Sequence, residues 1–326
     1  MDVYIVAEAG SNWRISNDQT TNLNQAKKLI EIAKEAGANA CKFQVFNSKK
    51  TYAPNAGNYD NYESINKLFD NLSLPKDWLK ELKEHCDRTQ IDFMASVFSI
   101  EDAKAVDPYV KRHKVASFEC NHMELLEYLN LTDKPVLVST GCAAWQQIER
   151  IKGAVPSSHL TLMHCISAYP AKNAELYKIS KLKEICQSVG YSDHTEFNTI
   201  TPVAAVAMGI SYFEKHFTED KNADGPDHKF ALDPKELNET IRLIRQTEAV
   251  LYSYNEEKIK DFAVRRVQVI SKIRRGDRLE LNYNYGCLRP GSNKLGADAH
   301  LTRYFNNKRV NRDIEAGEGI LLEDVE

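Results

Sequence analysis

The sequence predicts a closed (β/α)8 barrel followed by a small β-rich domain. Three observations predict it: eight short apolar runs recur over the first 217 residues, helical patterns lie between them, and nearly every run ends in polar side chains. The runs span 3–7, 40–43, 92–95, 114–118, 135–138, 160–164, 189–191 and 210–213. Most are continuously apolar, as strands covered by helices should be. Between them, Leu23, Ala26, Leu29, Ile30 and Ala33 recur at three- and four-residue spacing, as do Leu79, Leu82 and Cys86. Prolines at 75, 108, 135 and 202 mark element edges, and Gly37 reads as a helix stop before the second strand. The pattern from Pro234 to about Tyr254 is the last barrel helix.

An open doubly wound sheet shares this local alternation, so the polar ends decide between the two folds. They are Glu8, Lys42 with Gln44, Ser96, Glu119, Ser139, His164, the Ser192, Asp193, His194 triplet, and Glu214 with His216. In a barrel these ends converge on one mouth, whereas in an open sheet they spread along an edge. Beyond Lys260 the texture changes to short strands and Gly-rich turns. From Arg265 onward there are 12 Lys/Arg against 9 Asp/Glu, about +3, which leaves about −6 for the rest of a chain of net charge −3. The expected organisation is a barrel over 1–255, a linker over 256–264 and a β domain over 265–326. About 60 residues is marginal for an independent core. Its stretch around 292–300 reads as abbreviated and loose.

With 326 residues, 42% of them hydrophobic, the chain can bury a large core. Its near-neutral balance gives no bias toward nucleic acid or an anionic membrane. Seven cysteines without C-x-x-C spacing read as reduced thiols. No basic segment followed by an apolar stretch opens the chain, and no apolar run nears the ~20 residues of a membrane span. A soluble cytoplasmic protein is expected.

Two histidines carry the strongest chemical signal. His194, in Gly-Tyr-Ser-Asp-His-Thr, and His216, in Phe-Glu-Lys-His-Phe-Thr, end neighbouring strands. Two imidazoles there bring a divalent ion within reach, with positions open for water and a substrate oxygen; such mixed ligation suits Mn, Fe, Co or Zn better than Mg. A hydrogen-bonded packing histidine has the same spelling. Glu119 ends Lys-Val-Ala-Ser-Phe-Glu, and strand alternation would place Ser117 and Glu119 on one side. A carboxylate at the mouth serves as general base or ligand, and a surface ion pair is its alternative. Lys42 and Lys114 are cations suited to clamping phosphate or carboxylate. Lys215 should point outward, being next to an inward His216. Ser139-Thr-Gly141 and Ser192 offer hydroxyls at loop tips. Asp227 and His228 lie in a turn-prone segment after the eighth strand. No G-x-G-x-x-G follows a strand and no P-loop lysine motif occurs.

Taken together, eight stretches in order resemble the sialic acid synthase family. They are Ile5-Val-Ala-Glu-Ala-Gly-Ser-Asn12, Lys42-Phe-Gln44, Ser117-Phe-Glu-Cys-Asn121, Lys134-Pro-Val-Leu-Val-Ser-Thr-Gly141, His164-Cys-Ile-Ser-Ala-Tyr-Pro170, Gly190-Tyr-Ser-Asp-His-Thr195, Glu214-Lys-His-Phe-Thr218 and Gly225-Pro-Asp-His228. Arg289-Pro-Gly291 resembles the motif of the family's C-terminal antifreeze-like (SAF) domain. The resemblance implies condensation of phosphoenolpyruvate with an N-acylated amino sugar to a nine-carbon α-keto acid. It implies Mn²⁺, with Mg²⁺ or Co²⁺ as alternatives, on His194 and His216, and catalysis by Glu119. Phosphoenolpyruvate would lie on Lys42, Lys114, Ser117, Ser139 and Ser192. The sugar would lie near Glu8, Gln44, Tyr169, Asp227 and Arg289, the last contributed by the partner of a domain-swapped homodimer. Asn12, Asn121, Ser167 and Asp193 are further candidates; Ser167 stands where some members carry Asn.

One departure is clear. The family reads Asn-His-x-Gly after the first strand, whereas this chain reads Asn12-Trp-Arg-Ile15, so a histidine and a turn glycine are missing at the expected mouth. Two rival readings follow: a related barrel condensing phosphoenolpyruvate with a phosphorylated aldose, and a catalytically inactive sugar-binding paralogue. A Schiff-base aldolase would require a reactive buried lysine.

Overall fold

A computed structural model describes residues 2–58, 64–252 and 261–326. The chain divides into two compact units, 1–252 and 253–326. In the first, eight parallel strands close into a barrel in chain order. They are β1 (Tyr4–Gly10), β2 (Ala40–Val45), β3 (Asp92–Val97), β4 (His113–Val115), β5 (Val136–Ser139), β6 (Leu160–His164), β7 (Ser188–Asp193) and β8 (Tyr212–His216). Pairing of β1 with β8, Glu8 opposite His216, completes the ring.

Among the described residues, ten helices connect and cover the strands: α1 (Gln19–Glu35), α2 (Ser48–Thr51), α3 (Ile65–Leu72), α4 (Leu79–Thr89), α5 (Ile100–Val106), α6 (Met123–Asn130), α7 (Trp145–Ala154), α8 (Tyr177–Ile185), α9 (Ile200–Ala207) and α10 (Pro234–Tyr252). The expected apolar spacing is visible in α1, whose Ala26, Leu29, Ile30 and Ala33 are buried. Asp18 caps it by accepting the Thr21 N–H at 2.7 Å. Gly37, at φ +91°, follows its end as expected of a helix stop.

The strands sort their side chains by period two. One face puts Ile5, Cys41, Phe43, Phe93, Val138 and Phe213 into the large core shared with the helices. The other face puts Val6, Ala40, Met94, Leu137 and Met163 into a separate buried cluster that fills the lumen. The lumen plug ends where the inward positions turn polar, and that change of chemistry sets the floor of the site.

Two expectations about strand ends need correction. β4 stops at Val115, and Ser117–Glu119 forms a 3-10 turn, so strand alternation does not relate Ser117 to Glu119. His164 faces the helix layer rather than the mouth, stacking on Tyr191 at 5.7 Å and bonding the Ala174 carbonyl at 2.6 Å.

The second unit has its own core of Val267, Val269, Ile273, Leu279, Tyr285, Phe305, Val310, Ile314 and Ile320. Its two-stranded sheet pairs β9 (Arg266–Val269) antiparallel with β10 (Tyr285–Leu288). The 292–300 stretch is not loose: Val267 donates to the Ala297 carbonyl and Ala297 to Ile320, at 2.9 and 2.7 Å. Of the expected linker 256–264, residues 256–260 lie outside the described residues, and 261–263 are helical. Among the described residues no helix is long and apolar enough to cross a membrane.

Candidate active site

Above the lumen plug, the inward positions of the strands deliver a buried polar cluster. Lys42 of β2 forms an ion pair with Glu8 of β1 at 2.7 Å and donates to Ser96 Oγ of β3 at 2.8 Å. Lys114 of β4 donates to Ser139 Oγ of β5 at 2.8 Å. Glu214 of β8 lies between the two lysines, its Oε1 at 3.6 Å from Lys42 and 3.8 Å from Lys114, and accepts from Ser192 Oγ of β7 at 3.0 Å. Gln44 donates to Glu8 Oε1 at 2.9 Å. The barrel therefore brings five of the predicted residues, Glu8, Lys42, Lys114, Ser139 and Ser192, into one connected network, with Gln44 at its edge.

Burial and mutual charge set the protonation of this network. Burial pushes Glu8 up to about 7, against the pull of Lys42. Burial opposes charge on Lys42, but Glu214 and Glu8 more than offset it and hold the ammonium above its usual range. Burial holds Lys114 below its usual range, with Glu214 opposing. Burial likewise works against ionised Glu214, yet Lys114, Lys42 and the Ser192 hydroxyl keep it low. The sequence marks Glu214 only as a polar strand end and gives it no role, although its position two before His216 puts both on the same face of β8.

Beside this network, Ser117 Oγ and Ser167 Oγ lie 2.7 Å apart. Gly141 is required there, because a Cβ would collide with Ser167 Oγ and come within 2.7 Å of Cys165 Sγ. Glu119 is half-buried, and its Oε2 is buried without a hydrogen-bond partner. Burial pushes this carboxyl up to about 8, with Lys114 opposing.

The two histidines face each other, ring centroids 5.7 Å apart. His194 Nδ1 meets the Ile166 carbonyl at 2.6 Å, so Nδ1 carries the proton and Nε2 keeps its lone pair. His216 Nδ1 is buried without a hydrogen-bond partner, 3.6 Å from Asp227 Oδ2. Burial drives both imidazoles toward neutrality, His194 down to about 4 and His216 well below its usual range. His194 Nε2 lies 3.3 Å from the Ser192 hydroxyl, and two neutral rings are a donor set that a borderline divalent ion takes. Among the described residues no group of three or more His, Cys, Asp or Glu is arranged to hold a metal; an ion here would have the two imidazoles as its protein ligands. Burial raises Asp227 to about 6. Tyr169, 40% exposed, covers the pair, its ring 4.2 Å from His194 and 5.4 Å from Phe230.

Other candidates fall elsewhere. Asn12 is fully buried and donates to the Phe217 carbonyl at 2.8 Å, tying the β1 loop to the end of β8. Asn121 is exposed. Asp193 points away from the mouth, into the helix layer, where it pairs with Lys215 at 3.2 Å; Lys215 is outward, as expected. Arg289 is exposed on the second unit. Trp13 does not occupy the mouth but packs edge-on against Trp78 at 5.3 Å in the helix-side core. Asn22 Oδ1 accepts the N–H groups of Ile15 and Ser16 and holds the turn that lacks a glycine.

Comparison with known proteins places the chain in a family. The sequence model of the NeuB family matches residues 29–256. The chain is 33% identical to spore coat polysaccharide biosynthesis protein SpsE of Bacillus subtilis, over 99% of this chain and 93% of that protein. It is 35% identical to N,N'-diacetyllegionaminic acid synthase of Campylobacter jejuni, over 76% of this chain and 77% of that one. Among solved structures, N-acetylneuraminic acid synthetase of Leptospira borgpetersenii, in complex with citrate, superposes with a TM-score of 0.70 at 30% identity, covering 79% of this chain and 87% of that one.

Proposed function

The chain belongs to the NeuB family, and from that premise we propose that it condenses phosphoenolpyruvate with an N-acylated amino sugar, N-acetylmannosamine or a diacetamido-hexose, releasing phosphate and a nine-carbon α-keto acid. The observation that carries this reading is the buried pair Lys42 and Lys114, bridged by Glu214 and ringed by serine hydroxyls, beside two neutral histidines. The lysines neutralise the anionic substrate, and the Ser117, Ser139 and Ser192 hydroxyls orient it. Glu119, held near neutrality by burial, is poised to exchange a proton with the attacking water or a sugar hydroxyl. Gln44, Glu8, Tyr169 and Asp227 line the acceptor side, and the barrel wall lowers the entropic cost of bringing two substrates together.

The family is generally metal-dependent, and His194 and His216 would hold the ion, most readily Mn²⁺. When bound, such an ion supplies Lewis acidity at the sugar's aldehyde oxygen. The reaction belongs to the cytoplasm, a compartment suited to seven cysteines that are all free thiols. We further read 265–326 as an antifreeze-like domain that delivers Arg289 to the partner's site in a swapped homodimer.

The test is phosphate release from phosphoenolpyruvate with Mn²⁺ and a panel of N-acylated amino sugars and phosphorylated aldoses, with products weighed by mass spectrometry. Release with one amino sugar and formation of its three-carbon-extended acid is the expected result. Turnover only with a phosphorylated aldose would replace the acceptor assignment, and binding without release would mark an inactive paralogue.

A further inference from the structure

The residue behind His194 and the residue before His216 meet on the far side of the barrel wall. Asp193 and Lys215 lie opposite each other in the β7–β8 register, and both side chains are buried in the helix layer. Asp193 Oδ1 accepts from the Tyr191 hydroxyl at 2.9 Å and from the Thr195 N–H at 2.8 Å, while Oδ2 accepts from the Thr201 hydroxyl of α9 at 2.7 Å. Lys215 Nζ reaches Asp193 Oδ2 at 3.2 Å and also donates to the Thr195 carbonyl. Thr195, the residue after His194, is thus held at its N–H by Asp193 and at its carbonyl by Lys215. The His194 carbonyl is itself taken by the Ala171 N–H at 2.8 Å. Three of these bonds, to the Thr195 N–H, the Thr195 carbonyl and the His194 carbonyl, hold backbone at or next to His194, and the others join the side chains that make them.

We propose that Asp193 and Lys215 are positioning residues: a buried clamp across the ends of β7 and β8 that sets the separation and aim of the His194 and His216 imidazoles. A buried ion pair is weak evidence for stability by itself, because desolvating both charges offsets much of their attraction. Its placement across the two histidine-bearing strand ends gives it a use that a stabilising pair would not need. Partners bonded directly to the ring of a metal-binding histidine contribute about 10–100-fold to metal affinity; Asp193 and Lys215 act one step further back, through Thr195 backbone, which puts them at the low end of that range.

The inference rests on the two-histidine reading, so the experiment separates the two. Mn²⁺ is titrated into the full chain and free ion is read by electron paramagnetic resonance. Wild-type binding that His216→Ala removes establishes the histidine site; no such binding overturns the reading and the clamp together. Given that site, Lys215→Met is expected to fold, by circular dichroism, and to weaken Mn²⁺ binding about 10-fold. Lys215→Arg, which keeps donors toward Asp193 and Thr195, is expected to recover most of the loss. A folded Lys215→Met with wild-type Mn²⁺ affinity would reduce the pair to a structural contact and overturn the clamp alone. Should Lys215→Met fail to fold, Asp193→Asn, which keeps shape and one acceptor oxygen, is read in the same way.

Discussion

At the residue scale, Glu119 combines two properties that pull apart. Its carboxyl is half-buried with an unpartnered oxygen, and burial lifts it to about 8. The folded state therefore holds this proton more tightly than the unfolded chain, whose carboxyl titrates near the ordinary value of 4.5. The associated stability is fully present below that ordinary value and is lost as pH rises through about 8. Glu119→Gln removes the titration. It should be more stable than wild type at pH 9, by on the order of 1–3 kcal/mol after allowance for partial exposure, and nearly equal to it at pH 4. The same variant should lose about 10²–10⁴-fold in turnover if the carboxyl moves a proton. Urea unfolding at the two pH values, with turnover measured on the same preparation, tests both. A stability difference independent of pH would sink the burial argument, and unchanged turnover would remove Glu119 from the chemistry.

At the scale of elements, β7 and β8 carry Ser192, Glu214 and His216, and their contact leaves no room for a side chain at 190. A Cβ on Gly190 would stand 2.9 Å from Tyr212 Cβ and 3.0 Å from the Tyr212 carbonyl. Neither atom can move without shifting β8, which also carries Glu214 and His216. Gly190→Ala should cost about 1–3 kcal/mol, seen as a lower denaturation midpoint; an unchanged midpoint would mean that β8 yields freely. This dependence on register also explains what was legible in the sequence. The existence of all eight strands could be read, because apolar runs separated by helical spacing have few other meanings. So could Lys42, Lys114, Ser139 and Ser192 as residues that converge. Which side of the wall a strand-end residue faces depends on where the strand starts, and that is not written locally. His164 and Asp193 therefore share the polar-end signal of the site yet face the helices. Ser117 and Glu119 show a second limit, since the chain leaves β4 and winds into a 3-10 turn just where alternation would have been extrapolated. The position of Glu214 on the His216 face was legible. Its bridging of lysines from β2 and β4 arises only on barrel closure, when β8 comes round beside β1. Trp13 shows the reverse case: a departure from the family pattern at 13 is absorbed by packing on Trp78, leaving the mouth's polar network untouched.

At the scale of the whole molecule, the two units have separate cores, while the proposed chemistry requires both. The barrel carries the lysines and histidines, whereas Arg289 is exposed on the second unit. If Arg289 serves the partner's site, defects in the two units should complement in trans. His216→Ala disables a barrel but leaves that chain's Arg289 intact, and Arg289→Ala does the opposite. In a swapped mixed dimer, one site combines the two defects and the other combines an intact barrel with an intact arginine. Each variant alone should show little turnover at limiting sugar. Unfolded together and refolded, they should recover about a quarter of wild-type activity, since half the dimers are mixed and each mixed dimer has one complete site. An arginine acting on its own barrel gives no such recovery, because every site then keeps one defect. Refolded mixtures that remain as inactive as their components, while wild type refolds to full activity, would exclude the swap and leave Arg289 serving its own chain; an Arg289→Ala variant as active as wild type would put Arg289 outside the site.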